Sequence, residues 1–135
     1  MNNLINRLLG MVGATILVVC ATHLAIAQDA VKVDPKHYTV EFEDAQVRVL
    51  RITYGPHEKS VMHGHPAGVA VFLTDGQVKF TLPDGKIDER SLKSGQTLWA
   101  DPVKHLPENV SDKPFELIFV ELKAKPTKTK SPKAK

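Results

Sequence analysis

From about residue 37 onward, apolar and polar positions in this chain alternate with a period of two, the signature of strands with one face turned inward. The clearest run is Val47 to Thr53 (VRVLRIT), in which Val47, Val49 and Arg51 oppose Arg48, Leu50 and Ile52. His37 to Glu43 (HYTVEFE) alternates in the same way. Val69 to Leu73 (VAVFL) is apolar throughout and predicts a short strand buried on both sides. Gln77 to Leu82 pairs back across the tight-turn signal Asp75-Gly76. Lys86 to Leu92 follows the turn Pro83-Asp84-Gly85; it alternates but is mostly polar, which predicts an edge strand. Thr97 to Ala100, Lys104 to Val110 and Phe115 to Leu122 bring the total to about nine short strands. No segment of this region carries a helical period, so the prediction is a single all-β barrel or sandwich.

The first 27 residues follow a different pattern. A polar start containing Arg7 leads into the apolar run Leu8 to Val19, and Ala25-Ile26-Ala27 then offers a small-x-small cleavage site. This predicts a secretory signal peptide cut before Gln28, and hence a periplasmic or secreted protein with no membrane span in the mature chain. The alternatives are a retained anchor, since Leu8 to Ala27 can just cross a bilayer, and a lipoprotein modified at Cys20. Val19 argues against the second, because such sites need a small residue before the cysteine. With the signal removed, the only cysteine goes too, and neither a disulfide nor a thiol ligand is available.

Residues 28–36 form a polar lead-in, 37–122 the barrel, and 123–135 a lysine-rich tail that cannot bury apolar surface and is expected to be disordered. Charge alone speaks for contact of the tail with an anionic surface, so a solvated tail is the simpler reading. The tail also explains the overall charge of +3. With Arg7 and the six tail lysines set aside, 11 of the 18 basic residues remain against 15 acidic ones. The barrel is therefore acidic and gives no reason to expect nucleic acid binding.

Candidate chemistry concentrates in histidines. His63-Gly64-His65 places two imidazoles on one face of an extended strand. His105 follows some forty residues later on another predicted strand, and a closed barrel can bring all three rings together as a metal site. His57 shares their parity if the strand runs back unbroken, and it is a candidate rim residue. Val69, Val71 and Leu73 are expected to point into the barrel as an apolar wall, with Trp99 as core or substrate platform. Asn109 is expected to hydrogen-bond backbone at a turn, and Glu108 to point away from His105.

These residues resemble the cupin superfamily. Its first motif, G-x5-HxH-x3,4-E-x6-G, is matched by His63-Gly64-His65 and by Gly76 as the closing glycine. Its second, G-x5-PxG-x2-H-x3-N, is matched by Gly95 and by His105 with Asn109. The chain departs from the pattern at Val69, which stands where the motif glutamate belongs, at Ala100-Asp101-Pro102 in place of P-x-G, and at Gly55, two residues too far from His63. The resemblance implies a cupin-type jelly roll, pairing into a homodimer, like small cupins of unassigned function.

Three neutral imidazoles bind a borderline divalent ion, with Zn, Cu and Ni favoured over Mn and Fe kept open by the three-histidine dioxygenases that the chain resembles. With Val69 in place of the glutamate, the site is expected to keep the full charge of the ion and to favour a small anionic or chelating ligand. Two function classes follow: a metal-dependent, dioxygenase-like enzyme, and a non-catalytic module holding a metal or small anion. No acid–base pair is identifiable in the sequence.

Overall fold

The computed structural model describes residues 28–124. The predicted signal peptide with Cys20 and the tail beyond residue 124 lie outside the described residues. A single helical turn, α1 (Ala30–Val33), is followed by nine strands: β1 (Tyr38–Glu43), β2 (Val47–Tyr54), β3 (His63–His65), β4 (Gly68–Phe72), β5 (Gly76–Thr81), β6 (Ile87–Leu92), β7 (Thr97–Ala100), β8 (Val103–Asn109) and β9 (Phe115–Leu122). They form two antiparallel sheets, ordered β1-β2-β9-β4-β7 and β3-β8-β5-β6. This is the all-β architecture that the alternation predicts, arranged as the jelly roll that the resemblance implies, with β6 at a sheet edge as its polar composition leads one to expect.

The core lies between the sheets. Leu50, Ile52 and Tyr54 of β2 project into it, with Ala70 and Phe72 of β4 and Phe115, Leu117 and Phe119 of β9. These are alternate residues, as a two-residue period demands. Gly85 and Gly95 make the turns at either end of β6 with φ of 83° and 81°, a region that glycine enters without a Cβ clash. Gly68 serves a different need: a Cβ there would lie 2.4 Å from the Val120 carbonyl oxygen, so β4 and β9 close up only because the side chain is missing.

The phase of β4 is opposite to the expected one. Gly68, Ala70 and Phe72 are buried, while Val69 and Val71 face outward and are half-buried. The parity set by His63 and His65 cannot be carried across Pro66-Ala67, because the chain there leaves one sheet for the other. Val69, Val71 and the exposed Leu73 are therefore not pocket residues.

The lead-in is also more ordered than its polarity suggests. Asp29 caps α1 by accepting from the Val31 amide at 2.9 Å, and Ala30 is fully buried. At the other end, Lys123 still belongs to the barrel: its amide donates to the Gln46 carbonyl and its ammonium to the Asp44 carbonyl. The ordered chain thus runs past residue 122, and a lysine that counts as tail by composition is held by backbone pairing.

Candidate metal centre

β3 and β8 pair so that His63 stands directly opposite His105, and His65 follows two positions along the same face. One ring nitrogen from each of the three lies within 4.8 Å of the others, inside the barrel. The expected convergence of two separated β-segments is what the register produces.

Hydrogen bonding fixes which nitrogen two of the rings, His63 and His65, present. His63 Nδ1 lies 2.8 Å from the Val61 carbonyl, which only accepts, so Nδ1 carries the proton. His65 Nδ1 lies 2.6 Å from Glu121 Oε1 and donates to that carboxylate. Both Nε2 atoms are left with lone pairs, and they stand 3.1 Å apart. Two lone pairs at that distance repel unless a cation or a proton lies between them. Among the described residues, the buried His105 Nε2 has no hydrogen-bond partner, a state that costs free energy unless something binds there. The donor set therefore fits a divalent ion of the kind that imidazole nitrogen prefers.

The electrostatics agree. Burial, then the neighbouring His65, pushes the His63 imidazole down to about 4. Burial, then His65 and His63, pushes His105 down to about 3. Both rings are neutral at physiological pH, the form that binds metal. The sign of the stability effect follows. Below the ordinary value of 6.5 the unfolded chain takes up protons that these two rings refuse while folded. The metal-free protein should lose on the order of 2 kcal/mol per histidine between about pH 7 and pH 5. Urea melts across that interval check this, and replacing both rings should flatten the dependence.

Glu121 is the functional residue that the sequence reading passed over. It is 1% exposed, and its second oxygen accepts from Arg48 Nε at 2.6 Å. Burial alone would raise its carboxyl; the bonds from His65 and Arg48 overturn that and hold it below the ordinary range. Its place was legible, because Phe115, Leu117, Phe119 and Glu121 share one parity in FELIFVEL. It faces Gly68 across the β4–β9 ladder, one position from Val69, so a neighbouring strand supplies a carboxylate that the first motif lacks. The expectation of a site without a carboxylate is thereby corrected: Glu121 stands behind His65 and orients its ring.

The remaining candidates separate clearly. His57 sits in a turn at φ 56°, its side chain 63% exposed and 2.7 Å from Asp112, away from the three histidines. The turn breaks the strand on which its parity was counted. Trp99 borders the cavity but is 58% exposed, and its indole N–H donates to Asp101. Asn109 is fully buried and donates to the carbonyls of Gly55 and Lys113, holding two loops as expected. Glu108 turns outward to Lys79.

A cavity of about 430 Å³ opens beside the histidines, with His65 and His105 in its wall. Most of the wall is apolar, including Ile52, Phe72, Phe80 and Phe119. Phe80 stacks on His105 with ring centres 5.0 Å apart. Tyr38 and Tyr54 also line it, and their hydroxyls are 2.7 Å apart. Burial raises both phenols, so both stay protonated donors. Tyr38 packs edge-on against His63 at 4.8 Å.

This fold and this histidine cluster define a cupin, and comparison with known proteins agrees. Residues 50–121, more than half of the chain, match the family described as the cupin domain, and the chain belongs to that family. A cupin domain from Bordetella pertussis is similar at 27% identity, with 64% of this chain and 92% of that one covered and a TM-score of 0.60. An uncharacterised double-stranded β-helix protein from Klebsiella pneumoniae matches at 22% identity over 63% of this chain and 74% of its own, with a TM-score of 0.52. An RmlC-like cupin from Methanocaldococcus jannaschii matches at 22% identity over 66% of this chain and 83% of its own, with a TM-score of 0.51. The last two likenesses speak to the fold. No protein of curated function matches the chain.

Proposed function

We propose that this chain is an exported cupin that holds one divalent transition ion on His63, His65 and His105 and presents it to a small chelating ligand in the apolar cavity. The observation that carries this reading is the facing pair of Nε2 lone pairs beside a buried, unpartnered His105 Nε2. Zn, Cu, Fe and Ni all suit three imidazoles. When bound, such an ion polarises a ligand oxygen as a Lewis acid.

The chain's own residues do the rest. Glu121 and the Val61 carbonyl fix two ring orientations. The aromatic wall excludes water from the ligand, and Phe80 backs the His105 ring by stacking on it. The Tyr38–Tyr54 pair supplies a hydroxyl donor beside His63. This donor favours an enzyme acting on a chelating substrate. The second reading, a non-catalytic holder of a metal or small anion, is supported by Arg90, whose guanidinium lines the cavity beside Asp88. Oxygen uptake and product analysis with Fe(II)- and Zn(II)-loaded protein, across thiols, diketones and phenolic acids, separates the two. Turnover supports the enzyme, and saturable binding without turnover supports the holder.

Export rests on the sequence pattern of residues 1–27, and among the described residues no helix is long and apolar enough to cross a membrane. The partner proposed for the outer face of the five-stranded sheet is a second copy of the chain. Phe42, Val49, Val120, Val69 and Trp99 stand in register as an apolar row across all five strands. Phe42 and Trp99 are more than half exposed. Val69→Glu should convert a dimer to a monomer by light scattering; an unchanged mass would remove this face from consideration.

A further inference from the structure

We infer that residues 28–34 act as a clasp that positions the metal-binding histidines from outside the barrel, with Asp29 as its key positioning residue. The inference rests on the metal reading above and deepens it. β3 has only three residues and lies at the edge of its sheet, paired with β8 on one side. A strand so short, with two ligands and a glycine, has little to hold its other edge. The clasp fills that gap. The amide of Gly64, between the two ligands, donates to the Gln28 carbonyl at 2.9 Å, and Asp29 pairs with Gly64 in a parallel bridge.

Each end of the clasp then reaches one ligand through side chains. At the front, Asp29 Oδ2 accepts from Arg48 Nη1 at 2.7 Å. Arg48 Nε donates to Glu121 at 2.6 Å, and Glu121 accepts from His65 at 2.6 Å. At the rear, Asp34 accepts from the Ser60 hydroxyl and lies 2.7 Å from His37 Nδ1. Ser60 Oγ in turn stands 3.4 Å from His63 Nδ1. Ala30, fully buried, anchors the turn between the two ends. The front path alternates in sign: Asp29 holds Arg48, which would otherwise draw Glu121 charge away from His65. Asp29 thus sets how much of that carboxylate the ligand feels.

The test uses the full chain with zinc as the probe and a competing chromophoric chelator as the readout. Asp29→Asn keeps the helix cap, since asparagine caps as well as aspartate, while removing the charge that holds Arg48. Zinc affinity should fall about 3–10-fold while the thermal midpoint of the metal-free protein moves by only a few degrees. The same substitution in a Glu121→Gln background should cost less than it does in the parent, because both act along one path. Asp29→Glu should restore part of the affinity. Unchanged zinc affinity in Asp29→Asn, or full additivity with Glu121→Gln, would overturn the clasp while leaving the metal site standing. A parent protein that binds no zinc would overturn both.

Discussion

Replacing His63 and His105 together with alanine should lower the zinc content of the purified full chain from about one ion per chain to below about 0.1. The two rings face each other across the β3–β8 ladder, one from each motif, so the double change removes a ligand from both sides. His65 alone keeps its Glu121 bond but offers one nitrogen, too few for an ion that water also binds. The fold should survive, because the buried apolar residues of β2, β4 and β9 make the core without either ring. The apo double variant should also be less sensitive to acid than the parent, since it lacks the two imidazoles that resist protonation. Elemental analysis after gel filtration, with circular dichroism as a check on folding, measures the effect. Full metal content in a folded double variant would place the ion elsewhere.

The second large effect is expected at Glu121. Glu121→Gln preserves shape and can still accept from His65, but it removes the charge that makes the ring a stronger donor. Zinc affinity should fall about 10–100-fold, the range typical of a lost partner behind a ligating histidine. Glu121→Ala should do further damage, because Arg48 would lose a buried partner that it now holds at 2.6 Å. A broken pair of this kind costs on the order of 3–5 kcal/mol, visible as a lower urea midpoint. If glutamine bound zinc as well as glutamate does, the carboxylate would be a structural partner of Arg48 alone.

The strands and the three ligands were legible because they depend on local periods and spacings: alternation for β2 and β9, turn glycines beside β6, and two histidines one strand-period apart. What was not legible depends on where the chain changes sheets. The phase of β4 resets at Pro66-Ala67, so Val69 and Val71 exchanged faces with Ala70 and Phe72. The turn at His57 breaks parity in the same way. The α1 turn is too short to show a period, and the residues flanking it bond to Gly64, Arg48 and Ser60, none of them near in sequence. Glu121 is a different case. Its inward parity was plain in FELIFVEL, but a carboxylate on a buried face has meaning only once Arg48 and His65 are seen on either side of it.

The most direct test of the metal centre is anomalous diffraction from crystals of the full chain grown with zinc and measured on both sides of the zinc absorption edge. One strong peak is expected inside the barrel, about 2.0–2.1 Å from Nε2 of His63, His65 and His105. A peak held by other side chains, or a barrel that stays empty at saturating zinc, would contradict it.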